Sequence, residues 1–315
     1  MERLGIDYEV VAISEINKYA IQGYEAIHGS TLNLGDISKI KVEDIPQHDL
    51  FTYSFPCQDI SVAGKINGII KGQTRSGLLY ECEKVIEYCR PKYLLLENVK
   101  NLVGKKFKPQ FDEWLKYLES LGYTNYWQVL NAKDYGVPQN RERVFVISIL
   151  GEHEPYEFPK PIPLNKCVGD ILEDQVDEKY YTNKPFNLIT NGHQISIPQA
   201  TKKGYIEMDL PGVCDLSYPN SKTRRGRVQE NGKVSPTLTA SSQDICYIEP
   251  TTQKDDYRVR KLTPKECFRL MGLKDNDIDK IQQTGMSDTQ QYKMAGNSIV
   301  VNVLEGIFRN LFIKK

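Results

Sequence analysis

The sequence lacks any charge imbalance: 41 Lys plus Arg against 41 Asp plus Glu leave a formal net charge of zero over 315 residues. No global field attracts a polyanion, so any basic surface must be local. Histidine is scarce, at 4 residues. His28, His48, His153 and His193 lie far apart, and none stands at zinc-site spacing from another histidine or a cysteine, so no metal is expected. The 7 cysteines contain no CxxC pair, and their odd number in a chain without disulfide-scaffold composition predicts free thiols and a reducing, cytoplasmic setting. No run approaches the roughly 18 apolar residues that a membrane span needs. The start, Met1-Glu2-Arg3-Leu4-Gly5, has no apolar core of a signal peptide. A soluble protein without a membrane partner follows, and neither repeats nor low-complexity segments are present.

What is present is alternation. Val10-Val11-Ala12-Ile13, Leu50-Phe51-Thr52-Tyr53, Tyr93-Leu94-Leu95-Leu96 and Val144-Phe145-Val146-Ile147 read as strands buried on both faces. Between them, Leu78, Leu79, Cys82, Val85, Ile86 and Cys89 recur at helical spacing, as do Phe111, Trp114, Leu115, Leu118 and Leu121. This predicts an α/β fold with a doubly wound, mostly parallel sheet, whose ligands sit beyond the carboxyl ends of the strands. Glu15, Asp36, Cys57, Glu97 and Asn98 occupy those ends. Three regions are expected: a first domain over 1–164, a smaller irregular β-rich domain over 165–258, and a segment over 259–315 that returns to the first. Thr263-Pro264-Lys265-Glu266 reads as a capping box with proline at the first helical position. A final helix over 300–312 carries Val300, Leu304, Ile307, Phe308 and Leu311 on one face.

Cys57 follows its strand through Pro56, which fixes a non-helical turn able to present a thiol. A buried structural cysteine is the ordinary alternative. Glu97-Asn98-Val99 follows the third strand, and Gln139-Asn140-Arg141-Glu142-Arg143 leads into the fourth. Singly, Glu97 reads as a surface acid paired with lysine, and Arg141 and Arg143 as a solvated face. Jointly, a thiol, a carboxyl and two guanidinium groups converge on one crevice.

At these residues the sequence resembles the DNA C5-cytosine methyltransferase family of bacterial and phage restriction-modification systems. Phe55-Pro56-Cys57-Gln58-Asp59-Ile60-Ser61 resembles its nucleophile loop, Glu97-Asn98-Val99 its acid, and Gln139 to Arg143 its arginine motif. Arg260-Lys261-Leu262-Thr263-Pro264 with Arg269-Leu270-Met271-Gly272, then Gly296-Asn297-Ser298, are similar to its C-terminal blocks. The blocks occur in the family's order, and 165–258 corresponds to its variable target-recognition region.

The resemblance implies that Cys57 adds as thiolate to carbon 6 of a flipped cytosine, which makes carbon 5 nucleophilic toward the methyl of S-adenosylmethionine. Glu97 then serves ring nitrogen 3, Arg143 the cytosine O2, and Arg141 steadies the nucleophile loop. Cofactor contacts fall to Glu15, Ile16, Asp36, Ile37, Pro56, Asn297 and Ser298. Double-stranded DNA is the expected partner, met by Gln58, Ser61 and Arg75 in the glycine-rich loop 61–77, by the basic cluster Arg224, Arg225 and Arg227 with Lys222, and by Thr237 and Thr239 of Ser235-Pro236-Thr237-Leu238-Thr239-Ala240.

One block of the family pattern is not found. A strand followed by Phe-x-Gly-x-Gly opens family members, and no such motif precedes Glu15. Three explanations compete: a second polypeptide supplies that strand, the start of the sequence is misplaced, or the protein is a degraded relative; without a partner strand the isolated chain is expected to be poorly stable or to bind cofactor weakly. The alternatives to an active enzyme are one subunit of a split methyltransferase and a catalytically silent DNA-binding or regulatory relative. An RNA-directed cytosine methyltransferase would use the same chemistry.

Overall fold

The computed structural model describes residues 1–55, 75–182, 188–218, 221–240, 244–253 and 256–313. The chain divides into two compact units. One comprises Met1–Leu130, Glu142–Lys160 and Glu305–Lys315, and the other Asn131–Arg141 and Pro161–Leu304.

The first unit holds a sheet of β1 (Leu50–Tyr53), β2 (Tyr93–Val99), β3 (Tyr123–Asn131) and β4 (Glu142–Leu150) in the order β1-β2-β4-β3. Its helices are α1 (Lys18–His28), α2 (Leu79–Cys89) and α3 (Lys108–Ser120). Leu94, Leu95 and Leu96 of β2 are all buried, as an apolar run predicts when both faces of a strand are covered. The stripe of α2 buries Leu79, Cys82, Val85, Ile86 and Cys89, and that of α3 buries Phe111, Trp114, Leu115 and Leu118. Arg90 ends α2 in the left-handed region at φ 50°, and Pro91 then bars continuation. Trp114 donates its indole N–H to the Tyr53 hydroxyl at 3.2 Å, so the packed core leaves that polar pair satisfied.

Two expectations are corrected here. The sheet is mixed rather than mostly parallel: β1 runs parallel to β2, but β4 pairs antiparallel with β2, Glu97 lying opposite Phe145. Apolar runs encode burial, whereas direction is set by connections. A crossover holding α2 joins β1 to β2, but only residues 132–141 link β3 to β4, fewer than the dozen or so that a parallel crossover requires. Secondly, Val10–Ile13 forms no strand. Ile13 alone pairs, in a parallel bridge to Asn33, and Tyr8 and Val10 remain 46 % and 41 % exposed. A parallel strand is stabilised by neighbours on both sides, and among the described residues this segment has one.

The second unit is built of short strands between turns: β5 (Tyr181–Thr182), β6 (Ile189–Asn191), β7 (Gln194–Pro198), β8 (Tyr205–Asp209), β9 (Gly212–Asp215), β10 (Ile245–Pro250) and β11 (Tyr257–Lys261). They form one sheet of order β5-β11-β10-β9 and another of order β6-β7-β8. Ile195, Ile197, Met208, Cys214, Ile248 and Val259 fill its core. Helices α4 (Pro264–Arg269), α5 (Asp275–Gln283) and α6 (Asp288–Asn297) follow, and α7 (Val301–Phe312) closes the chain with Val303, Ile307 and Phe308 buried. No helix among the described residues is long and apolar enough to cross a membrane.

The capping box forms as expected: the Thr263 hydroxyl accepts from the Glu266 N–H at 3.1 Å, and the Glu266 carboxylate accepts from the Thr263 N–H at 2.8 Å. The same carboxylate, wholly buried, receives both arms of Arg260 at 2.8 Å and the Glu173 N–H at 3.0 Å. Removing the guanidinium would strand a buried carboxylate, which costs about 3–5 kcal/mol. Arg260→Ala is therefore expected to lower unfolding free energy by about that amount in urea titration. A loss below about 1 kcal/mol would contradict the structural weight given to the pair.

Candidate active site

Strand β2 delivers two polar residues at its carboxyl end, and the pleat sends them to opposite faces. Glu97 is 9 % exposed, and its carboxylate meets the Arg143 Nε at 3.2 Å. Register explains the pairing: Glu97 stands opposite Phe145, and Arg143, two residues back on β4, is its diagonal neighbour on the same face. On the other face Asn98 is buried and donates to the Phe55 carbonyl at 3.1 Å. Phe55 is two residues before Cys57, so Asn98 anchors the backbone that leads toward the candidate nucleophile. Pro56, Cys57, Gln58 and Ser61 lie outside the described residues, and Arg75 opens the turn Arg75–Leu78.

The arginine motif is also divided by role. In the second unit, Gln139 is fully buried; its amide donates to the Leu270 carbonyl at 2.7 Å and accepts from the Leu238 N–H at 3.0 Å. Arg141, 4 % exposed, donates to the carbonyls of Leu238 at 2.7 Å, Gly296 at 3.0 Å and Ser298 at 2.8 Å. The Thr237 hydroxyl donates to the Asn140 carbonyl at 2.6 Å. A Cβ at Gly296 would collide with the backbone of Thr239 and Ala240, so glycine is needed for this approach. Thus Leu238, Leu270, Gly296 and Ser298, distant in sequence, are gathered around Gln139 and Arg141. Asn297 itself is exposed at the end of α6.

In the first unit, the Glu15 carboxylate accepts from the N–H groups of Ile16 at 2.8 Å and Asn17 at 2.7 Å. Asp36 accepts from the Ser38 N–H and hydroxyl at 3.0 and 2.8 Å, and these bonds hold its carboxyl below the usual range. Asn33, a residue that sequence reading missed, ties the two turns: its side-chain oxygen accepts from the N–H groups of Glu15 at 3.1 Å and Gly35 at 3.0 Å. Ile16 is 72 % exposed beside the Glu15 carboxylate, while Ile37 packs on the core of the unit.

The basic cluster of the second unit separates on inspection of each side chain. Arg225 is exposed, as is Lys222. Arg224 donates through Nε to the Asp215 carboxylate at 3.0 Å. Arg227, expected at the surface, is instead 2 % exposed and donates to the carbonyls of Asp215, Ser217 and Tyr218 at 2.8, 2.5 and 2.6 Å. Position in a basic run does not reveal which guanidinium folds inward to satisfy loop carbonyls. Thr239 is exposed, whereas the Thr237 hydroxyl is engaged with the backbone.

With an acid, its arginine partner and the gathered C-terminal blocks established, the sequence profile of the C-5 cytosine-specific DNA methylases matches residues 1–313. The chain belongs to that family. It is a DNA cytosine-5 methyltransferase. It is 44 % identical over 281 residues to the type II methyltransferase M2.ScrFI of Lactococcus lactis subsp. cremoris, covering 89 % of this chain and 71 % of that protein. M.NlaX, a type II methyltransferase of Neisseria lactamica, is 35 % identical over 303 residues, covering 96 % and 88 %. Solved structures of similar fold include the Entamoeba histolytica methyltransferase EhMeth, at TM-score 0.68 and 19 % identity over 98 % of this chain and 91 % of that one. The S. pombe Dnmt2 methyltransferase matches at TM-score 0.65 and 18 % identity over 98 % and 92 %.

Lysine cannot span the three carbonyls held by Arg141, since its ammonium is a compact point donor and not a planar fork. In the methylase, Arg141→Lys is expected to destabilise by about 1–3 kcal/mol, the cost of a buried polar group left without its partner. An unchanged urea midpoint would contradict the bracket.

Proposed function

We propose that the methylase acts through Cys57 as nucleophile, with Glu97 and Arg143 at the cytosine ring; the buried Glu97–Arg143 pair is the observation that carries this reading. The target base is taken out of the duplex, since its reacting carbons are inaccessible within the stack. The Cys57 thiolate bonds to carbon 6 while Glu97 hydrogen-bonds ring nitrogen 3 and relieves the charge arriving there. Arg143 donates to O2, and its pairing with Glu97 orients both. Carbon 5 then takes a methyl group, and loss of the carbon 5 proton with expulsion of Cys57 restores the ring. The described thiols of Cys82 and Cys246 do not compete, because burial pushes each up to about 12.

The family uses S-adenosylmethionine as methyl donor, which supplies an electrophilic methyl. The residues fit that molecule: an exposed apolar Ile16 offers a surface for a flat heterocycle, the neighbouring Glu15 carboxylate an acceptor for ribose hydroxyls, and ionised Asp36 an acceptor for an amino group. Ile37, Pro56, Asn297 and Ser298 complete the proposed contacts. Duplex DNA is met by Gln58, Ser61, Arg75, Arg224, Arg225, Thr237 and Thr239, with Arg227 bracing its loop from within, and 165–258 serves target recognition. The type II relatives support a restriction-modification setting.

A further strand completes the first unit in this reading. Among the described residues strand β1 ends its sheet, Ile13 is bridged on one side, and Tyr8 and Val10 stay exposed. These edges, among the described residues and with apolar flanks, suit an added extended segment, whether of this polypeptide or of a second one.

Initial rates with tritiated cofactor and plasmid DNA test the mechanism, with and without an added apolar, glycine-containing strand peptide. Cys57→Ser is expected to abolish turnover, and Glu97→Gln to reduce it about 10²–10⁴-fold, the range for a lost general acid. Cys82→Ser should turn over at the unsubstituted rate. Full-rate methylation by Cys57→Ser would remove the reading.

A further inference from the structure

Residues 215–218 and 221–227 are the two limbs of a segment whose base is set by an antiparallel bridge between Cys214 and Val228 and by the Asp215 N–H bonded to the Arg227 carbonyl at 2.9 Å. The buried Arg227 guanidinium holds the carbonyls of Asp215, Ser217 and Tyr218. The Asp215 carboxylate accepts from the Ser217 N–H at 2.8 Å and from Arg224 at 3.0 Å. The limb 215–218 is therefore determined by internal bonds at each step. At its end stands Tyr218, with φ 48° and 73 % exposure. A bulky side chain in the left-handed region is a steric outlier, sustained only where surrounding bonds over-determine it. An aromatic ring left in water also forgoes burial that the unit gives Tyr257 and Tyr292. Both costs fall on one residue, whose carbonyl accepts from the Arg227 guanidinium and the Ser221 N–H.

The surroundings indicate what the ring meets. Arg224 lies with its guanidinium carbon 5.6 Å from the Tyr218 ring centre, and Lys222 and Arg225 on the following limb are exposed. An exposed ring beside one guanidinium, with two exposed cations on the following limb, matches the pairing of stacking surface and phosphate-binding charge by which proteins hold nucleic acid. We propose that Tyr218 is a DNA-contacting residue of the methylase, stacking its ring on a nucleobase of the target duplex, with Arg225 and Lys222 on the flanking phosphates and Arg227 as the positioning residue that holds Tyr218 outward.

This inference rests on the DNA-methylating activity, so its test separates binding from catalysis. The full chain is titrated with a fluorescein-labelled, mixed-sequence 30-base-pair duplex, followed by anisotropy, and thermal unfolding of each variant is measured alongside. Tyr218→Ala is expected to weaken binding about tenfold or more, within the range of one lost base–aromatic stack. Tyr218→Trp should bind like the unsubstituted chain. Tyr218→Gly should weaken binding like alanine while unfolding at an equal or higher temperature, because glycine accepts φ 48° freely. A purely structural role predicts the opposite pattern: unchanged binding by the alanine and glycine variants. That result, or a tryptophan variant as weak as alanine, would overturn the proposal. An unsubstituted chain that fails to bind the duplex would overturn the DNA contact itself, and the proposal with it.

Discussion

A buried guanidinium must find acceptors within the protein, and the two terminal nitrogens of Arg141 find them in the carbonyls of Leu238, Gly296 and Ser298. That requirement organises the second unit. Two stretches far apart in sequence are fixed around one planar fork, and the fully buried Gln139 adds Leu270 and the Leu238 amide. The close approach of Gly296 to Thr239 leaves no room for a side chain, so the ring of contacts closes without slack. Two residues further on, the same motif supplies Arg143 to Glu97 in the first unit. A pentapeptide thus has a structural half and a chemical half.

Charge is handled locally throughout. A chain with zero net charge has no long-range pull on DNA, and its second unit uses several arginines for internal bonds. Arg260 is spent on Glu266, Arg227 on three carbonyls and Arg224 on Asp215. Arg225 and Lys222 remain exposed on the limb that follows Tyr218, and Arg224 lies at the Tyr218 ring.

Features governed by local chemistry were legible in the sequence. The Thr263 cap needed only a hydroxyl, a proline and a glutamate at fixed spacing, and α2, α3 and α7 needed only apolar residues on one face. The polar pair at the end of β2 was likewise readable, because it breaks the apolar run Leu94-Leu95-Leu96. What depends on partners was not. The run Val10–Ile13 is apolar enough for a strand yet has a single bridge, and the direction of β4 follows from its connection and not its composition. The bond from Asn98 to the Phe55 carbonyl, the Asn33 tie between Glu15 and Gly35, and the burial of Arg227 join residues that no spacing rule relates.

The central claim is that one cysteine among several attacks the base. It is tested most directly by incubating the chain and cofactor with duplex DNA carrying 5-fluorocytosine, where the absence of a removable proton at carbon 5 arrests the adduct, and then sequencing the cross-linked peptide by mass spectrometry. The account predicts a methylated 5-fluorocytosine nucleotide bonded to the Cys57 sulfur. An adduct on Cys167, the one partly exposed thiol among the described residues, or on any other residue, would contradict it.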